Sequence, residues 1–96
     1  MYARLTTFIV GPGMRSRMEK VADELAPIFK AQKGFKSITF VADDAVGEYG
    51  GFSLWETKED AEAAAAAINP KVQEAVDGIV KGQPSIRLFE VYEPKA

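Results

Sequence analysis

The sequence contains no cysteine and no histidine. Without cysteine there is neither a disulfide framework nor a thiolate nucleophile, and without histidine the commonest general base and the commonest metal ligand are missing. These two absences exclude cysteine-based catalysis and every site that depends on imidazole ligands.

Long apolar runs are missing as well. No stretch approaches the roughly 20 apolar residues that cross a bilayer. The opening segment, MYARLTTFIV, lacks the basic region and the small-residue cleavage site of a secretory signal. We therefore expect a cytoplasmic protein that has no membrane partner.

The composition that is present predicts one globular domain covering residues 1–96. Of the 96 residues, 47% are hydrophobic and 27% are charged, which suffices for one modest core and leaves no length for a second domain. A formal net charge of −2 disfavours nonspecific binding to nucleic-acid phosphates, so we expect no nucleic-acid partner.

The chain begins with a predicted strand and helix. β-Branched and aromatic residues predict strand 1 over Tyr2–Val10, which Gly11-Pro12-Gly13 ends. A helix is predicted over about residues 14 to 32, bent at Pro27 because proline lacks an amide hydrogen, and ended by Gly34. Its apolar side recurs every three or four residues and consists of Met14, Met18, Val21, Ala22, Leu25, Ile28 and Phe29.

Two strands joined by a short turn are predicted next. Strand 2 covers Phe35–Ala42, a polar turn runs from Asp43 to Gly47, and strand 3 covers Glu48–Glu56. Gly50-Gly51 inside strand 3 predicts either a bulge or a place where another group approaches the backbone closely.

A second helical region follows strand 3. Thr57-Lys58-Glu59-Asp60 is similar to a capping box in which aspartate replaces glutamate, so a helix is predicted over Lys58–Ile68. Asn69 can cap a helix and Pro70 suits a first helical position, which predicts a restart and a separate segment over Pro70–Val80.

A fourth strand completes the predicted fold. Gly82 and Pro84 are predicted to break the chain before strand 4, Ser85–Tyr92, and Pro94-Lys95-Ala96 is predicted to be a short tail. The order β-α-β-β-α-β predicts an α+β, ferredoxin-like sandwich, in which both helices cover one face of a four-stranded antiparallel sheet.

Both faces of the predicted sheet carry apolar side chains, as shown on strand 3 by Phe52 and Leu54 on one side and Tyr49 and Trp55 on the other. Two helices cover only one face, which leaves on the order of 400 Å² of partly apolar sheet. We therefore expect a homodimer formed through the sheet face, with a pocket for a small apolar or aromatic ligand between the two sheets.

Three local segments carry a resemblance to a known family. Leu25-Ala26-Pro27-Ile28, Lys33-Gly34-Phe35 and Ser53-Leu54-Trp55-Glu56-Thr57, the last followed by an acidic and alanine-rich helix, resemble the antibiotic biosynthesis monooxygenase family. The resemblance implies a dimeric α+β barrel. Within that superfamily some members oxygenate polycyclic phenols without metal or flavin, some degrade haem, some are isomerases, and many have no established reaction.

The resemblance implies that Trp55 lies on the cavity side of strand 3. Ser53, Gly51 and Tyr49, at spacings of two, would share that side and leave Phe52 and Leu54 to pack against the helices. A lone tryptophan at a strand end also serves as a packing or dimer-interface residue, and that alternative stays open.

The implied activity is a monooxygenation without a cofactor. An electron-rich aromatic or quinol-type substrate would give an electron to dioxygen in a dry pocket, so the side chains only bind and polarise it. Trp55 and a tyrosine would then donate hydrogen bonds, and an arginine would stabilise the phenolate; the candidates are Trp55, Tyr49, Ser53, Arg87, Tyr92 and Arg4.

Each of these candidates has a purely structural alternative. Arg87 pairs with a surface acid, Arg4 lies on a solvated sheet edge, or Tyr92 seals the rim of the barrel. The sequence leaves open whether Arg87 or Glu90 faces the pocket.

The haem-degrading branch of the superfamily can be excluded. Its members have an asparagine on strand 1 and a ligating histidine on the second helix, whereas here Ala3 stands at the asparagine position and histidine is absent. We expect no cofactor. A carboxylate metal site stays conceivable beside the capping and turn roles of the acidic residues Asp43, Asp44, Glu59, Asp60 and Glu62.

Two other classes of function remain as alternatives. The segment Glu48–Trp55 superficially resembles strand 3 of RNA-recognition domains, but an extra glycine breaks its alternation and Glu48 stands where a basic residue is expected. A noncatalytic homodimer that binds a small molecule would have the same sequence features as an oxygenase.

Overall fold

The computed structural model describes residues 1–94, so Lys95 and Ala96 of the predicted tail lie outside the described residues. The elements are β1 (Tyr2–Ile9), α1 (Arg15–Lys30), β2 (Phe35–Asp43), β3 (Glu48–Trp55), α2 (Lys58–Val76) and β4 (Lys81–Glu90). Neither of the two helices in this part of the chain is long and apolar enough to cross a bilayer.

The four strands form one antiparallel sheet in the order β2-β3-β1-β4. Both helices pack on the same face, because residues of α1 and α2 share a buried cluster with Trp55 of β3. The predicted ferredoxin-like α+β fold is confirmed.

The core lies between the helices and the sheet, where spacings of three and four put apolar side chains on one side of each helix. The buried residues of α1 are Met18, Val21, Leu25 and Phe29, and those of α2 are Ala61, Ala64, Ile68 and Val76. The small alanines allow α2 to lie close to the sheet.

The two predicted helical segments on either side of Asn69 are one continuous helix. Thr57 caps it as predicted, since its hydroxyl accepts a hydrogen bond from the Asp60 amide at 3.0 Å. Pro70 lies inside the helix, and burial of Ile68 and Val76 on either side of it holds both turns against the core. The helix ends at Val76 rather than Val80. Likewise α1 is a single helix that contains Pro27.

The fourth strand begins earlier than predicted. Gly82 and Pro84 lie within β4 instead of preceding it, and β4 ends at Glu90 rather than Tyr92. Because β4 is an edge strand, a residue without an amide hydrogen is tolerated there. The pairing with β1 shifts register between Thr7 and Ile9, opposite these residues.

The glycine pair in β3 marks a close approach and not a bulge. β1 pairs with β3 in unbroken register through Gly50 and Gly51. A side chain at position 50 would collide with the backbone oxygen of Thr6. The irregularity of this part of the sheet lies instead in β2, between Phe35 and Ser37.

The side chains of β3 that face the helices are the opposite set from the one predicted. Tyr49 and Trp55 share a face, as predicted, and that face packs against the helices. Phe52 and Leu54 alternate with them and so lie on the uncovered face, where Phe52 keeps 37% of its surface exposed. The prediction that Phe52 and Leu54 meet the helices, with Tyr49, Ser53 and Trp55 on the face away from them, is wrong.

Candidate functional site

A cavity of about 260 Å³ lies between the helices and the sheet of a single chain. Its floor comes from β1 and β3, and its apolar walls come from side chains of both helices, Leu25, Phe29, Ile68 and Val72 among them. The sequence predicted a pocket between the sheets of two copies. This cavity belongs to a single sandwich, and the pocket between two sheets stays a prediction.

Part of the cavity lining is exposed, on α1 and on the edge strand β2. The lining residues that stay exposed are Arg15 and Glu19 of α1 and Phe40, Val41 and Ala42 of β2. The Phe29 and Phe40 rings meet edge to face at 6.2 Å.

The guanidinium group of Arg4 lies in the cavity wall. Arg4 is half-buried, and its Nη2 donates a hydrogen bond to Asn69 Oδ1 at 3.3 Å. No carboxylate among residues 1–94 lies within 4.0 Å of it. Burial lowers the pKa of Arg4 from its ordinary value, since desolvation disfavours the charged form. The cavity therefore holds a cation that no acidic side chain of residues 1–94 neutralises.

Thr6 follows Arg4 by two residues on β1 and so lies on the same face of the sheet. Its Oγ1 is buried and has no hydrogen-bond partner among residues 1–94. A buried hydroxyl without a partner costs about 1–3 kcal/mol. Thr6 and Asn69 both line the cavity beside Arg4.

Trp55 lies behind the cavity wall. Its side chain is only 1% exposed and packs against the rings of Phe29 and Phe35. Its Nε1 donates to Ser53 Oγ at 2.9 Å, and Ser53 Oγ donates to the Arg4 carbonyl oxygen at 3.4 Å. Trp55 thus orients Ser53, which lines the cavity, while its own donor is already used.

Tyr49 also lines the cavity. Its hydroxyl donates to Asp44 Oδ1 at 2.9 Å, and the other oxygen of Asp44 accepts from Arg15 Nη1 at 2.8 Å. Burial, followed by the hydrogen bond to Asp44, raises the pKa of Tyr49. Arg15 also pairs with Glu19 at 3.0 Å, so this network ties α1 to the β2–β3 turn.

The remaining candidates lie outside the cavity. Arg87 points to the opposite face of the sheet, where its guanidinium lies 4.7 Å from the centre of the Phe89 ring. Tyr92 follows β4 and is 78% exposed. Glu90, the alternative to Arg87, lies on the helix side and accepts a hydrogen bond from the Tyr2 hydroxyl at 3.1 Å.

The structure therefore brings Arg4, Tyr49 and Ser53 together around one cavity and places Trp55 in direct contact with Ser53. Sequence reasoning missed Thr6 and Asn69. Thr6 could have been found from its spacing of two from Arg4, whereas Asn69 was assigned to a helix cap. Within residues 1–94, no three acidic side chains gather into a group that could hold a metal ion.

Comparison with known proteins matches the fold to one group of solved structures. A protein from Nitrosomonas europaea, named provisionally as an antibiotic biosynthesis monooxygenase, superposes with a TM-score of 0.81 at 12% identity, covering 97% of this chain and 100% of that one. A Deinococcus radiodurans protein with the same provisional name gives 0.79 at 13% identity, covering 100% and 97%.

SnoaB, a cofactor-independent oxygenase from Streptomyces nogalater, gives a TM-score of 0.73 at 19% identity, covering 97% of this chain and 93% of that one. No protein-family model matches the sequence, and neither does any curated protein. The resemblance seen in the sequence is thus confirmed at the level of the fold.

Proposed function

We propose that this protein is a cofactor-independent monooxygenase that acts on a small aromatic or quinol-type substrate held between its helices and its sheet. The observation that carries this proposal is the position of Arg4. Arg4 lines a largely apolar cavity, and its guanidinium has no carboxylate partner among residues 1–94. Such a group favours the deprotonated, electron-rich form of a phenol or an enol.

In the proposed reaction the side chains bind the substrate anion and exclude water. The substrate loses a proton to solvent, and its anion gives one electron to dioxygen. The substrate radical and superoxide combine into a peroxide anion, which takes up a proton to become a hydroperoxide, and loss of water leaves a carbonyl group. For an activated methylene the balance is R₂CH₂ + O₂ → R₂CO + H₂O. Arg4 would hold the anionic oxygen, and the apolar walls would keep bulk water away from the intermediates. The shared fold with SnoaB supports this reaction class.

We also propose that the protein is a homodimer formed through the uncovered face of the sheet. Phe52 and Phe89 each keep 37% of their surface exposed on that face, with Leu54 beside them. A contiguous apolar sheet face of this kind is unusual on a monomer and is readily covered by a second copy in an isologous contact.

Oxygen consumption with anthrone, corrected for the rate without protein, tests the proposed reaction. Arg4→Met should lower kcat/KM by about tenfold to a hundredfold, since it removes the cation that stabilises the developing anion. Arg17→Met is the matched control, because Arg17 lies on the exposed side of α1 and away from the cavity.

Two results would contradict the oxygenase proposal. Equal oxygen consumption by the wild type and Arg4→Met would remove Arg4 from the reaction. Binding of anthrone or a quinol without consumption of oxygen would instead favour the noncatalytic small-molecule-binding protein. Folding of both variants is checked by circular dichroism, so a loss of activity is not mistaken for unfolding.

A further inference from the structure

Thr6 lines two cavities. The second cavity, of about 410 Å³, lies on the β4 side of α2 and is lined by Val76, Pro84 and Ile86 among others. Thr6, Phe8, Asn69 and Val72 line both cavities. A ligand group placed at Thr6 is therefore within reach of apolar surface on either side.

Thr6 Oγ1 is the buried side-chain oxygen or nitrogen without a hydrogen-bond partner among residues 1–94. Neighbouring polar groups are already engaged: Arg4 donates to Asn69, and Trp55 donates to Ser53. A hydroxyl left unpaired inside a protein destabilises it, unless a water or a ligand supplies the missing partner.

We propose that Arg4 and Thr6 together form a subsite for one anionic oxygen of the ligand, and that Thr6 is the donor that determines specificity. The inference rests on the proposed function for the identity of that oxygen, a phenolate or an enolate. Both side chains project from the same face of β1 at a spacing of two residues and line the same cavity. Because Thr6 Oγ1 is closed to solvent in the ligand-free chain, binding requires the Thr6 side chain to rotate so that its hydroxyl faces the ligand.

The subsite predicts how ligands are discriminated. A site built to donate a hydrogen bond rejects an analogue that lacks the acceptor, because the donor is then left unpaired. An aromatic compound without an oxygen gains only the apolar contacts of the cavity. The oxygen-bearing compound gains in addition the attraction of Arg4 and the hydrogen bond from Thr6.

Equilibrium binding of 2-naphthol and of naphthalene, followed by fluorescence, tests the subsite without requiring turnover. Thr6→Val keeps the shape of the side chain and removes the hydroxyl. It should weaken 2-naphthol binding about three- to tenfold and leave naphthalene binding within about twofold. It should also raise the unfolding midpoint of the ligand-free protein, because a buried unpaired hydroxyl is gone. This combination of weaker binding and higher stability distinguishes a ligand contact from a structural role.

Thr7→Val is the matched control, since Thr7 lies one residue further along β1 and so on the opposite face. It should change neither affinity for 2-naphthol nor the difference between the two ligands. Thr6→Ser retains the hydroxyl and should restore 2-naphthol binding. If Thr6→Val does not fold, Thr6→Ala compared with Thr6→Ser gives the same contrast.

Unchanged 2-naphthol affinity in Thr6→Val would overturn the proposal, as would an equal loss for both ligands or failure of the wild type to prefer 2-naphthol. None of these results depends on oxygen consumption. A protein that discriminates the two ligands through Thr6 but consumes no oxygen would refute the oxygenase and keep the subsite.

Discussion

At the scale of single residues, the tryptophan has the packing role that the sequence left open as an alternative. Trp55 was predicted to face a pocket between two sheets, away from the helices, whereas its ring lies on the helix-covered face, in the core. Its indole nitrogen donates to Ser53 instead of reaching the cavity. Trp55 therefore acts on the site through the orientation of Ser53.

A double-mutant cycle measures how much the hydrogen bond between Trp55 and Ser53 contributes to the free energy of unfolding. Trp55→Phe should lower the free energy of unfolding by about 1–3 kcal/mol, because it removes a buried donor and part of a core ring. Combined with Ser53→Ala, the two losses should fall short of additivity by about 0.5–1.5 kcal/mol, which is the value of the shared hydrogen bond. Urea unfolding gives all four free energies.

Ser85→Ala supplies the control for this cycle. Ser85 is exposed on β4 and pairs with Thr7, so it has no contact with the indole. Its loss should add to that of Trp55→Phe. Full additivity between Trp55→Phe and Ser53→Ala would show that the hydrogen bond contributes nothing to stability.

At the scale of elements, the glycines of β3 illustrate what local sequence can and cannot specify. The pair predicted either a bulge or a close approach, and only three-dimensional pairing decides between them. A Cβ at Gly50 would overlap the Thr6 carbonyl oxygen and crowd Thr7. A Cβ at Gly51 would lie 3.1 Å from Ile38 Cδ1, the free end of a flexible side chain.

The atoms next to Gly50 and Gly51 predict losses of different size for the same substitution to alanine. Gly50→Ala should lower the free energy of unfolding by about 2 kcal/mol or more, because backbone atoms cannot move aside. Gly51→Ala should cost clearly less, because Ile38 can rotate. Urea unfolding of both variants compares them directly, and equal losses would contradict the close approach at Gly50.

Element boundaries likewise depend on both local sequence and three-dimensional packing. Thr57 was predicted to cap the second helix from four consecutive residues, and its hydroxyl does so. Pro70 and Pro84 were predicted to interrupt elements and do not, because burial around one and the edge position of the other offset the missing amide. The capping residue was predictable from local chemistry, whereas the effect of each proline depends on its packing and on its place in the sheet.

At the scale of the whole molecule, the order of elements was predictable and the choice of covered face was not. Strand 3 carries large apolar side chains on both sides, so its pattern gives no reason to prefer one. The choice is made by packing, since Trp55 fits among Phe29, Phe35 and the alanines of α2. The candidate site followed from that choice: Arg4 came inside, whereas Arg87 went to the opposite face.

The proposed dimer can be tested at the uncovered face of the sheet. Sedimentation equilibrium at micromolar concentration should give twice the 10.5 kDa mass of one chain. Phe52→Glu places a charge at a 37% exposed position on that face, and its burial against a second copy is costly, so this variant should be a folded monomer. Val46→Glu makes the same change at a 52% exposed residue of the β2–β3 turn and should remain dimeric.

A wild-type protein that sediments at the mass of a single chain would mean that this apolar face is tolerated in water, whereas a dimeric Phe52→Glu would move the contact to another surface. Because the cavity lies within one sandwich, the monomeric variant should still bind 2-naphthol, so assembly and ligand binding can be measured separately.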